Sequence, residues 1–430
     1  MNTFQTVLLA IFGVIAVVGT IMFSGYFSKN TNSEESILNI WGTLPGVEMR
    51  DFFDTFNKKK LVNQIRYEEH SESTFDYDLV EALANGAGPD LIIITDDRVL
   101  RHEKKIFAIP YENVAERTFR DTFVDEATIF LSTEGILGVP ILVDPLVLFW
   151  NKDLFSNAEI ASAPSSWEQV LGITSKLTVK DSRGNISKSA IALGSFNNIE
   201  HAKQILATLL IQADQLIVGR GVDGIVKILL ESSRTGIQTG GEAALRFYTE
   251  FSNPSTDEAY TWNSSIRSAR TAFSADNLAM YIAPFSEKDS ILRENPHLNF
   301  DIALLPQREN GKVRATYGKI YAIAALRSSR MKSSAVNASL ILGQSEYAKI
   351  FSDSLRLAPA RRDLLSQRIP DPDLSIAYKS AVISKSWLDP NPLSTAQIFK
   401  NVIDSITSGT AKEGEGIIRL SSEIEDLLKR

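Results

Sequence analysis

The sequence predicts an α/β protein of two lobes, each a mainly parallel sheet flanked by helices, behind an N-terminal transmembrane helix. Three observations point there. From residue 37 onward helical and strand patterns alternate, the order from which parallel sheets with crossover helices are built. At 430 residues the chain is too long for one ordinary hydrophobic core, so two lobes are expected. The first 28 residues carry no charged side chain, unlike anything that follows.

Residues 7–27 are nearly all apolar, and at roughly 1.5 Å per residue a helix there covers about 30 Å of hydrocarbon. A cleaved secretory signal is the competing reading, but no basic stretch precedes the apolar run and no clear A-x-A site follows it. Residues 1–28 are therefore read as a membrane anchor. Only Lys29 lies near either end, which leaves the basic-loop rule almost nothing to count. Residues 29–36 are polar and aperiodic, suiting a flexible linker. The body opens with a strand at 37–41, then a helix-like stretch at 47–59, a strand near 65–68, a helix from about 74 to 84 and a strand starting at Leu91. Ligands in such sheets sit beyond the carboxyl ends of strands. Trp41, Thr43, Thr95, Asp96, Asp97 and Asp144 are placed at such ends.

The stretch 138–155, GVPILVDPLVLFWNKDLF, is an apolar, β-branched and aromatic run with one carboxylate and a proline through its centre. An acid there must meet water, a partner or a ligand. A buried strand followed by a helix capped around Asp153 is the plain alternative. Gly138-Val139-Pro140 and Leu148-Phe149-Trp150-Asn151-Lys152-Asp153-Leu154-Phe155 resemble the signature of the extracellular solute-binding proteins of ABC importers, in the branch typified by maltodextrin-binding protein. Further fragments follow in the family's order over about 390 residues: Ile40-Trp41-Gly42, Gly88-Pro89-Asp90, Pro164-Ser165-Ser166-Trp167, Ala279-Met280-Tyr281-Ile282-Ala283-Pro284-Phe285, Leu305-Pro306, Tyr317-Gly318 and Ser408-Gly409. Asn277 stands where the family usually has Gly, and Phe285 where Trp is common.

The resemblance implies a periplasmic-binding-protein type II fold, with lobe 1 at 37–142 plus 316–360 and lobe 2 at 145–314 plus 361–430. The crossovers fall near 144, 315 and 361. It also implies a monomeric, non-enzymatic substrate-binding component of an ABC importer. Its body would lie on the extracytoplasmic side, closing two lobes on a solute, expected to be a carbohydrate, and delivering it to permease subunits. Asp97 and Asp144 look like the family's carboxylates, and Trp41 and Phe285 like two aromatic walls. A ligand-sensing ectodomain reporting to a membrane receptor is the alternative, and a glycoside hydrolase the third reading.

Composition restricts the other classes. A net charge of -7 argues against a nucleic-acid groove. Zero cysteines remove disulfides and thiolate metal sites, and the four histidines show no i, i+4 spacing, so neither metal nor cofactor is expected. Gly219-Arg220-Gly221-Val222-Asp223-Gly224 satisfies G-x-G-x-x-G, but the apolar run after it and the Asp-Gly pair favour a hairpin over a dinucleotide turn. No G-x-S-x-G motif is present. A sugar offers an apolar CH face and a rim of hydroxyls, so a site for it needs flat aromatic surfaces with carboxylates and amides around them. Trp41, Phe196, Phe285, Tyr317 and Trp387 are the candidate surfaces, with Trp262, just before a helix expected at Ser264, a looser one. Thr43, Asp96, Asp97, Asp144 and Asn197 are the candidate polar rim. Core packing is the competing role for each aromatic.

Overall fold

The structure, a computed structural model, describes residues 37–221, 223–230, 239–256 and 258–429. The expected membrane span and linker lie outside them, and no helix among the described residues is long and apolar enough to cross a membrane. In chain order the strands are β1 (Leu38–Gly42), β2 (Ile65–Glu69), β3 (Leu91–Thr95), β4 (Leu131–Ser132), β5 (Gly135–Ile136), β6 (Val139–Asn151), β7 (Val179–Lys180), β8 (Ile186–Ile191), β9 (Val218–Arg220), β10 (Val226–Ile228), β11 (Leu278–Pro284), β12 (Phe300–Ala303), β13 (Thr316–Ala325), β14 (Ala358–Pro359) and β15 (Ser384–Lys385).

The main path of the large sheet runs β2-β1-β3-β13-β6-β11-β8-β7. β1 lies parallel to β2 and β3, as the alternating pattern requires, with the helices Gly46–Asn57 and Phe75–Ala84 as crossovers. β3 is buried at all five positions, LIIIT, the mark of a strand covered on both faces. β6 joins the two halves. Its first part, from Val139 to Pro145, pairs with β13, and β14 also pairs with it at Leu142 and Val143. From Leu146 on, it pairs with β11 and β12 instead. A strand shared by two sheets explains thirteen nearly continuous buried residues.

The strands and helices expected between 37 and 95 are present with shifts of one or two residues at their ends. Three local expectations change. The helix after β6 is capped by Asn151, whose side chain accepts the Leu154 N–H at 2.9 Å, and not by Asp153, which already lies inside the first turn. The helix expected at Ser264 begins at Ala269, because the Asn263 side chain holds the Ser265 N–H in a local turn. Trp262 is fully buried with its indole N–H on Asn198 Oδ1 at 3.1 Å, so it is a core residue. The glycine-rich stretch after Val218 is a hairpin, β9 antiparallel to β10, with Gly224 at φ +76° where a side chain would be strained.

Candidate ligand-binding site

Asp144 occupies the point where β6 changes partners. It lies mid-strand and not at a strand end, because β6 continues through the crossing. Pro145, which lacks an N–H, pairs with Gly318 as the last β13 partner, and Leu146 pairs with Pro284 as the start of the β11 ladder. Asp144 is only 5% exposed. Its carboxylate is satisfied by the Ser286 N–H at 3.0 Å, on the turn that follows β11. Burial raises the Asp144 pKa, and the bonds from Ser286 oppose that rise.

Asp144, Thr43 and Phe285 line one cavity of about 420 Å³, together with Ser286, Lys288 and Tyr321. Three of the sequence-predicted residues therefore meet, drawn from the turn after β1, the centre of β6 and the turn after β11. Asp96 and Tyr317 meet as well. The Tyr317 hydroxyl donates to Asp96 Oδ2, and the Ile320 N–H reaches Asp96 Oδ1 at 3.3 Å. Full burial, with Asp97 adding repulsion, holds the Asp96 carboxyl well above the usual range. Asp97 is only partly buried and accepts the Thr95 hydroxyl at 2.6 Å.

Tyr317, Lys319 and Tyr321 alternate along β13 and so share one face, the face of Asp144, which is directly paired with Lys319. The Lys319 ammonium donates to Glu72, which also receives Arg98 at 3.3 Å. Burial works against the charge on Lys319, but Tyr321, Glu72 and Asp97 outweigh it and raise its pKa. Sequence reasoning missed Lys319 and Glu72. A lone charge in an apolar strand, the signal that singled out Asp144, is equally present in TYGKIYAIAA.

The other candidates lie elsewhere. Trp41 is half-buried with its ring 4.0 Å from the His70 ring, and it does not line the Asp144 cavity. Phe196 packs partly buried against the core and Asn197 is exposed; neither lines that cavity. Trp387 is 4% exposed, lies 5.8 Å from the Lys203 ammonium and lines a different cavity. Around Asp144 the chain offers ring surfaces, carboxyl groups and an ammonium at close quarters, which can hold a small polar ligand.

The sequence profile of the family described as bacterial extracellular solute-binding protein matches residues 42–329. Binding proteins of Brucella abortus and Brucella suis are 21% identical over 362 residues, covering 82% of this chain and 82% of theirs. Among solved structures, a cyclo/maltodextrin-binding protein complexed with maltotetraose superposes with a TM-score of 0.72 at 15% identity, over 92% of this chain and 98% of the other. The cyclic α-maltosyl-1,6-maltose binding protein of Arthrobacter globiformis gives 0.74 at 15% identity, over 92% and 99%. An ABC transporter solute-binding protein of Thermotoga lettingae bound with α-D-tagatose gives 0.67 at 18% identity, over 91% and 100%. At such identities the likeness establishes the fold, two-lobed and α/β.

Proposed function

Because the chain belongs to the bacterial extracellular solute-binding proteins, we propose that it captures a carbohydrate between its two lobes and hands it to the permease of an ABC importer. The observation that carries this reading is the position of Asp144. It sits where β6 passes from one half of the sheet to the other, with Thr43 and Tyr321 on one side of the cavity and Phe285 and Ser286 on the other. A ligand there touches both halves, and its preference for the closed arrangement shifts the balance between open and closed states. The sugar-bound neighbours support the ligand class. The lobes are divided at 144, 315 and 361, giving 37–142 plus 316–360 and 145–314 plus 361–430. The chain acts as a carrier, and bound sugar should be recovered intact.

Calorimetry tests the site. With an oligosaccharide first identified by thermal shift, which reports binding through mass action, Asp144→Ala should weaken binding by roughly 1 to 3 kcal/mol with the fold unchanged. Equal affinity would remove Asp144 from the site. The body is held at the outer membrane face by the apolar segment 7–27, which has spanning length. Intact-mass analysis of membrane-fraction protein should find that segment attached; a mature chain starting near Tyr26 or later would reject the anchor.

A further inference from the structure

A second cavity, of about 580 Å³, lies on the opposite face of the crossover from Asp144. The alternation of β13 fixes this. Lys319 points to the Asp144 side, so its neighbour Gly318 faces the other way, and a Cβ at Gly318 would stand 2.7 Å from Glu126 Oε2 and 2.8 Å from Ser384 Cβ. Glu126, Arg220, Ser386, Tyr111 and Trp387 all line this cavity. Its volume falls in the range of roughly 300 to 1,000 Å³ that small-molecule sites occupy.

Among the described residues, three polar atoms of that lining are shut off from solvent and make no well-formed hydrogen bond: Arg220 Nε, and Glu126 Oε1 and Ser386 Oγ, whose groups act on each other. Glu126 itself is 2% exposed. Buried polar groups are nearly always paired, and an orphan costs its desolvation, so Arg220 Nε, with the loosely paired Glu126 and Ser386 beside it on the lining, calls for a partner with polar groups of its own. The charges of the lining are already matched. Arg120 pairs with Glu116 at 2.7 Å, Arg220 with Glu103 at 2.7 Å and Lys385 with Asp125 at 3.0 Å. Glu126 is uncharged at neutral pH, because burial pushes its carboxyl up to about 8 against the pull of the Ser384 and Ser386 hydroxyls. What remains is one unmatched N–H, that of Arg220, and a carboxyl and a hydroxyl paired only loosely with each other, beside the Tyr111 and Trp387 rings. Neutral hydroxyls and an apolar face complement that set, and a charged ligand would find no free counter-charge.

We propose that this cavity is a second ligand site, taking an uncharged polyhydroxylated molecule of disaccharide size independently of the Asp144 cavity. Equilibrium dialysis with radiolabelled maltose tests it on the full chain carrying Asp144→Ala, so that failure of the importer reading at the Asp144 cavity does not decide the outcome. Saturable binding of a single maltose per chain is expected. Adding Arg220→Ala or Ser386→Ala should weaken it about tenfold each, the usual effect of losing a hydrogen bond to a buried polar group. Absence of saturable binding by the Asp144→Ala chain would overturn the proposal. So would binding that neither added substitution changes, which would place the sugar elsewhere.

Discussion

Lys203→Met should destabilise the protein by about 3 to 5 kcal/mol, because it leaves a buried carboxylate without its counter-ion. The Lys203 ammonium lies 2.7 Å from Asp389 Oδ2, and it also donates to Pro392 O at 3.1 Å and Thr395 Oγ1 at 3.2 Å. Asp389 is only 2% exposed. Burial raises the Asp389 pKa, and Lys203 is the main influence that pulls it back. Without Lys203 the carboxyl rises further. A raised folded-state pKa gives stability that is fully present below the unfolded value and lost as pH rises through the folded one, so the variant should recover on acidification. Adding Asp389→Leu to Lys203→Met should restore most of the loss, since two apolar groups replace an ion pair with little net cost. Urea denaturation of the three proteins at neutral pH reads this directly. A single variant within about 1 kcal/mol of wild type would mean that the pair is solvated in solution, as exposed pairs are. The pair fastens the segment carrying Trp387 to the helix Ala202–Gln212, so its loss should also loosen the second cavity.

Glu126→Gln should flatten the pH dependence of stability between about pH 4.5 and 8 and leave the variant more stable than wild type at pH 8. The Glu126 carboxyl accepts the Ser384 hydroxyl and stands against Gly318, so it is tied to both β15 and β13. Burial carries its pKa from the ordinary 4.5 to about 8. The folded protein therefore holds that proton where the unfolded chain has released it. The resulting stability is complete below the unfolded pKa and disappears as pH rises through about 8. At about 1.4 kcal/mol per pKa unit the whole effect is on the order of 5 kcal/mol. Glutamine keeps the hydrogen bond to Ser384 without a titration. Asp96 and Asp144 also have raised pKa values and contribute slopes of the same sign in both proteins, so the difference between the two curves isolates Glu126. Parallel curves would show that Glu126 is ionised and hydrated in the folded state.

The parts of the fold legible in the sequence are those specified locally. The apolar run at β3 and the alternation of helix and strand before it depend on neighbours a few residues away, and both were readable. Asp144 was legible as an anomaly, an acid in an apolar strand, but its mid-strand position was not. That depends on β6 exchanging β13 for β11, partners far along the chain. Asp96 and Tyr317 were each singled out, yet their mutual hydrogen bond spans 221 residues and no local pattern announces it. Glu126 gave no signal at all. It lies in a 3-10 turn without periodicity, and it becomes buried only because β13 and β15 close over it. Trp387 was expected as a ligand-facing ring in one cleft with Asp144, but the alternation that sends side chains to opposite faces of the crossover puts it beside Glu126 and not beside Asp144.

The central claim is that a ligand held at the crossover draws the two halves together. Small-angle scattering of the body from Ile37 onward, with and without a saturating oligosaccharide of measured affinity, tests it most directly. Closure predicts a smaller radius of gyration with ligand. A sugar that binds tightly and leaves the scattering curve unchanged would contradict it.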